Sequence, residues 1–241
     1  MRPKIYLFGD SITEESFKDD GWGASLANHF ARTVDVLLRG YSGYNTRWAL
    51  KAAERVFLPV EGGADGGATP LAITVFFGAN DACLPDRCSA FQHVPLPEYK
   101  SNLHAIFSFL KTRWPKTIVL FITPPPIDEA ARLQHPYSEN HLGLPERTNE
   151  AAGAYAKACI AAAEECGCPV IDIWTKMQQN PDWKTAYLWD GLHLTRSGNK
   201  LVFEEVVVKL KEQGLSVETL PVDLPLMGDI DPQDPLKAFL K

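Results

Sequence analysis

The chain has 241 residues, of which 45% are hydrophobic and 22% charged, and a net charge of −6. That is enough ordinary globular sequence to bury a full core without disulfide or metal staples. The acidic balance excludes a nucleic-acid partner, which needs a basic stripe, and no apolar run reaches the length of a membrane span.

Five short apolar runs, at 4–8, 34–38, 71–77, 117–122 and 169–173, read as buried strands. The first runs straight into Gly9-Asp10-Ser11, with no secretory leader pattern. Helical patterns separate the strands. A helix is expected over 22–30 after Asp19-Asp20-Gly21, and a second over 46–58 after the N-cap candidate Asn45. A third covers 97–114, where Tyr99, Leu103, Ile106, Phe107 and Leu110 form an apolar stripe. An alanine-rich helix over 145–166 stops at Gly167, and a last one over 195–213 stops at Gly214. The Gly-rich stretch 61–67 reads as a surface loop. Strand–helix alternation of this kind argues for an open parallel sheet covered on both faces, with function gathered in loops at the strands' carboxyl ends.

Those loops carry reactive side chains. Gly9-Asp10-Ser11-Ile12-Thr13 follows the first strand, and Gly40-Tyr41-Ser42-Gly43-Tyr44-Asn45 lies beyond the second. Gly78-Ala79-Asn80-Asp81 follows the third, and Trp189-Asp190-Gly191-Leu192-His193 precedes the last helix. Together they supply a serine, a glycine amide, a side-chain amide, and a carboxylate three residues from a histidine. These are the parts of an acyl-transfer site: nucleophile, oxyanion donors, base and base-orienter.

The set Phe8-Gly9-Asp10-Ser11, Gly40-Tyr41-Ser42-Gly43, Gly78-Ala79-Asn80-Asp81 and Asp190-Gly191-Leu192-His193 resembles the four sequence blocks of the SGNH/GDSL-type hydrolases. Thr123-Pro124-Pro125-Pro126, Arg147-Thr148-Asn149-Glu150 and Trp189 to Leu194 look most like the isoamyl acetate-hydrolysing esterase group. One departure is the absence of any glycine between Ser11 and Gly21. The resemblance implies a flavodoxin-like α/β/α fold around a five-stranded parallel sheet, over residues 1–214. It also implies roles. Ser11 is the nucleophile, His193 the general base, and Asp190 the group that holds the imidazole's tautomer. The oxyanion donors are the Ser11 and Gly43 backbone N–H groups and the Asn80 amide. No cofactor or metal is expected.

Rival readings are weaker. Ser42 lacks the closing glycine of a G-x-S-x-G elbow, because Tyr44 stands in its place. His29 and His104 fall on helix faces, His93 in a polar loop, and His135 and His141 in the 128–144 loop, a structural loop with a flap as the alternative. Cys83/Cys88 and Cys166/Cys168 lack zinc-hook spacing and read as idle thiols. With Cys159 the cysteines number five, an odd total that suits a reducing, cytoplasmic location. Glu14 and Glu15 read as solvated charges. Phe17, Trp22, Trp48, Phe91 and Trp189 are candidates equally for a pocket wall and for core.

The expected substrate is a small acetate-type ester. A carbohydrate or lipid deacylase, and a catalytically idle binding domain, are the alternatives. The final segment, 215–241, holds five acids against two lysines, half the net charge, together with four prolines. Leu220, Val222, Leu224 and Leu226 alternate there with Pro221, Asp223 and Pro225, the pattern of an extended arm. Packing on its own domain is the expectation, and exchange onto a second copy to form a homodimer is the alternative.

Overall fold

A computed structural model of the protein describes residues 2–57, 69–137 and 139–240; the expected 61–67 loop lies outside them. Its centre is a parallel sheet of β1 (Lys4–Gly9), β2 (Asp35–Gly40), β3 (Ala72–Phe76), β4 (Ile118–Ile122) and β5 (Val170–Ile171), in the spatial order β2-β1-β3-β4-β5. The strands alternate as a pleat requires. Ile5, Leu7, Leu120 and Ile122 face one layer, formed by α2 (Trp22–His29) and α9 (Arg196–Glu212). Phe8, Ile73, Val75, Val119 and Phe121 face the other, formed by α3 (Thr46–Val56), α4 (Leu96–Arg113) and α6 (Asn149–Cys166). The three-layer α/β expectation holds. Among the described residues, no helix is long and apolar enough to cross a membrane.

Two boundaries move for local reasons. The fifth strand stops at Ile171 because Asp172 caps a short helix, α7 (Ile173–Gln178), its Oδ1 accepting the Thr175 N–H at 3.0 Å. The alanine-rich helix starts at Asn149 rather than 145, since Thr148 Oγ1 accepts the Ala151 N–H at 3.1 Å. Pro145, Glu146 and Arg147 are thus left outside the helix. Three further short helices were not expected: α1 (Ser11–Glu14), α5 (Glu129–Gln134) inside the 128–144 loop, and α8 (Trp183–Tyr187).

Among the described residues, the segment after Gly214 forms no strand. Leu215, Val217 and Leu220 pack against the α2/α9 layer. The Asp223 carboxylate then accepts from Arg2 at 2.5 Å and Arg32 at 2.9 Å, while its N–H donates to the Arg32 carbonyl. Beyond that clamp Leu224, Met227, Leu236, Phe239 and Leu240 are exposed.

Candidate active site

The order of the sheet places the site. From β1 the chain turns one way to β2 and then crosses back to β3 on the other side, so the loops after β1 and β3 diverge at the carboxyl edge and leave a crevice. Ser11 opens α1 there. Asp10 caps that helix, its Oδ1 accepting the Ile12 N–H at 3.0 Å, and Trp22 Nε1 donates to the Ile12 carbonyl from the core below. Gly43 comes from the β2 loop with a φ of +78°, a conformation that favours glycine. Asp190 and His193 lie in a tight turn closed by the Leu188–Leu194 bridge. Gly191 at its apex has a φ of +87°, and a Cβ there would stand 2.4 Å from the Asp128 carbonyl oxygen.

Side chains from the two ends of the chain meet in this crevice. Ser11 Oγ lies 3.0 Å from His193 Nε2, and His193 Nδ1 lies 2.7 Å from Asp190 Oδ2. Asp190 Oδ1 accepts the Leu192 and His193 N–H groups at 3.0 and 2.7 Å. Burial alone would raise the Asp190 pKa. The hydrogen bonds and charge of His193 outweigh it and hold the carboxyl well below the usual range. An ionised Asp190 requires a proton on Nδ1, which leaves the Nε2 lone pair facing Ser11. Gly43 and Asn80 line the same cleft, of about 220 Å³, with Ser42, Gln92, Tyr137 and Leu192. Among the described residues, the Ser11 and Gly43 N–H groups donate to no protein acceptor. Such an arrangement can deprotonate a hydroxyl and stabilise an oxyanion beside it.

The sequence of the GDSL-like Lipase/Acylhydrolase family matches residues 5–206. The chain belongs to that family. A GDSL esterase/lipase of Arabidopsis thaliana is 70% identical over 239 residues, covering 99% of this chain and 98% of that protein. A bovine isoamyl acetate-hydrolyzing esterase 1 homolog is 42% identical over 241 residues, covering 99% of this chain and 92% of its own. Among solved structures, a lipase/acylhydrolase from Enterococcus faecalis matches with a TM-score of 0.68 at 25% identity, covering 93% of this chain and 100% of that one. This GDSL protein is a carboxylic ester hydrolase.

The rival residues of the hydrolase take other places. Ser42 lines the cleft, but His193 Nε2 bonds to Ser11, and the Ser42 N–H donates to Glu14 at 2.7 Å. Glu14 is therefore a brace between the first two loops rather than a purely solvated charge. His93 is tied through Nδ1 to the Cys83 carbonyl at 2.6 Å, not solvated. His29 packs on Phe30 and Phe203, and His104 pairs with Glu165 on the helical surface, both as expected for helix faces. His135 and His141 are exposed. Burial pushes the Cys83 thiol up to about 11 and the Cys159 and Cys168 thiols up to about 12. Of the five aromatics, Trp22 is core. Trp189 stacks beside His193 at 6.0 Å, and Trp48 stacks on Phe91, which in turn meets Tyr137 at the cleft.

Four buried residues carry no role in the motif reading. Arg132 of α5 donates through Nη1 to Asp190 Oδ2 at 2.9 Å, and through Nε and Nη2 to Glu146 Oε1 at 2.8 and 2.6 Å. Arg147 Nη1 donates to the same Glu146 oxygen at 2.8 Å, while its Nη2 reaches Asn80 Oδ1 and Gln92 Oε1, each at 3.0 Å. Arg132, Glu146 and Arg147 fall in segments that look like surface loop or helix, and Gln92 in one that looks polar and solvated. The only sequence signal was the Arg147-to-Glu150 resemblance. The backbone turn before Thr148 is what drives Glu146 and Arg147 inward. Two carboxyls behind the site are also perturbed: burial raises both Asp10 and Asp81 to about 7.

Proposed function

We propose that this enzyme hydrolyses small acetate-type esters through an acyl-enzyme on Ser11. The observation that carries the reading is the unbroken hydrogen-bond chain Ser11–His193–Asp190, opening on a cleft lined by Gly43 and Asn80. As Ser11 Oγ adds to the ester carbonyl carbon, its proton moves to His193 Nε2. The carbonyl oxygen, now negative, takes hydrogen bonds from the Ser11 N–H, the Gly43 N–H and an Asn80 N–H. Collapse of the tetrahedral adduct breaks the carbon–alcohol oxygen bond, and His193 returns its proton to the leaving alcohol. Water then repeats the sequence on the acyl-serine and releases the acid. Asp190 stays ionised throughout and stabilises the imidazolium.

A short acyl group suits the small cleft, whose walls include the polar ends of Asn80, Gln92 and Arg147. The 42% identical isoamyl acetate-hydrolyzing esterase homolog supports the same substrate class. One observation favours a second reading, an acetylated carbohydrate. On the other side of His193, a recess of about 230 Å³ combines Trp189 with Glu15, Lys18, Asp19, Arg196 and Asn199, a surface suited to a polyhydroxylated alcohol. An ester panel with acyl and alcohol portions varied independently decides between them. Loss of turnover beyond short acyl chains supports the proposal, and preference for long acyl chains refutes it. An organophosphonate probe should label Ser11, and Ser11→Ala should abolish labelling and hydrolysis. An idle binding domain would not label.

Residues 1–214 form the catalytic domain in this reading, and 215–241 an arm held to its own body by the Asp223 clamp. The protein acts on a small molecule, in a cytoplasmic setting, without nucleic acid. A chain truncated after Gly214 should keep the solution mass of a monomer. If the intact chain is a dimer and the truncated one a monomer, the arm instead joins two copies.

A further inference from the structure

Asn80 can serve an oxyanion only if its NH₂, and not its carbonyl oxygen, faces the cleft. A carboxamide has nearly the same shape either way round, so something must choose. We infer that Arg147 and Gln92 are positioning residues that make this choice and thereby build the oxyanion hole; the inference rests on the role proposed for Asn80. A guanidinium only donates. Arg147 Nη2 therefore demands an oxygen from each carboxamide it meets, Asn80 Oδ1 and Gln92 Oε1, both at 3.0 Å. With Gln92 Oε1 so turned, its Nε2 points the other way and donates to the Gly43 carbonyl at 2.9 Å and to Asn80 Oδ1 at 3.1 Å. Asn80 Oδ1 then has two donors, and Nδ2 bonds the Tyr44 carbonyl at 2.9 Å, leaving its second N–H for the cleft. Flipping either amide would set N–H against N–H and oxygen against oxygen in a buried site. Gln92 also pins residue 43 by its carbonyl, so one side chain holds two of the three donors.

Arg147 is itself held. Its Nε donates to the Ala79 carbonyl at 2.8 Å, and Glu146 Oε1 takes Nη1. The same Glu146 oxygen receives Arg132, whose other arm grips Asp190. Two cations and two anions thus cancel within a strap in which no member is more than 4% exposed. The strap ties the oxyanion amide to the carboxylate that orients the base.

The test is a double-mutant cycle on hydrolysis of p-nitrophenyl acetate by the full chain, with kcat and KM resolved. Asn80→Ala alone should lower kcat by about 10²–10³ with KM nearly unchanged. Arg147→Met should lower kcat more than about tenfold, again with KM nearly unchanged, but less than about threefold further when Asn80 is already alanine. Gln92→Glu keeps the shape while turning a donor into an acceptor. It should also lower kcat with KM nearly unchanged, and by less when Asn80 is already alanine, the remaining loss coming from its grip on the Gly43 carbonyl; it carries the cycle if Arg147→Met fails to fold. Equal losses with and without Asn80, or folded variants at full turnover, overturn the inference alone. An Asn80→Ala enzyme at full turnover overturns the role of Asn80 and the inference with it.

Discussion

Asp190→Asn isolates the contribution of one charge and one tautomer. All four partners of the Asp190 carboxylate are donors: the Leu192 and His193 N–H groups on Oδ1, and His193 Nδ1 and Arg132 Nη1 on Oδ2. An asparagine has a single oxygen to offer them. If its NH₂ faces the two backbone N–H groups, the turn that presents His193 is disrupted. If it faces His193, the imidazole must accept at Nδ1 and carry its proton on Nε2, where it can no longer accept the Ser11 proton. Either arrangement should lower kcat/KM by about 10⁴, or roughly 5 kcal/mol of transition-state stabilisation. Stability should also fall by about 1.5–3 kcal/mol, the worth of a hydrogen bond to a charged group. Because the folded-state pKa of Asp190 is depressed, that contribution is complete above the unfolded value of about 4 and disappears as pH falls below it. The Tm of the variant should therefore fall less steeply than the parent's as pH drops below about 4. Steady-state hydrolysis with thermal melts on the same preparations decides the matter. A folded Asp190→Asn enzyme within tenfold of the parent refutes the tautomer argument.

Burial raises the Asp81 pKa to about 7, so the folded state retains a proton that the unfolded state loses above about pH 4. Stability should consequently decline as pH rises from about 5 to about 7, and Asp81→Asn should flatten that part of a Tm–pH curve; an unaltered slope would contradict it. Gly191→Ala meets both a positive φ and a carbonyl oxygen at 2.4 Å, so it should cost more than about 1 kcal/mol in denaturant unfolding and lower turnover by displacing His193. Asp223→Ala removes the acceptor shared by Arg2 and Arg32. Hydrogen exchange should quicken over residues 222–240 while kcat stays at the parent value, and protection that persists would mean that the arm is held elsewhere.

Short local signals specify structure where the signal itself is physical. The buried apolar runs of β1, β3 and β4 and the left-handed stop at Gly167 follow from the order of residues. The strand expected at 169–173 is shorter, Val170–Ile171, because a run of apolar residues does not reveal that Asp172 turns its carboxylate to cap the next helix. Trp22 showed the same limit in another form, since an indole near a motif loop and an indole in the core look alike until its Nε1 finds the Ile12 carbonyl.

Ser11, Gly43, Asn80, Asp190 and His193 were legible because each stands in a compact block with its own turn chemistry, and the four blocks together carry the family. Five parallel strands were legible because burial on both faces demands near-continuous apolar runs. Gln92, Arg132, Glu146 and Arg147 were not. Gln92 and Arg132 lie far in sequence from the adjacent pair Glu146 and Arg147, and polar residues in such stretches normally face water. Only the folded chain brings these four together with Asp190, where mutual neutralisation allows two guanidiniums and two carboxylates to be buried. The order of residues determined the elements and the reactive groups. The packing of α5 and the turn before α6 against the crevice decided how those groups are aimed, because aim depends on long-range donors and acceptors that no local pattern encodes.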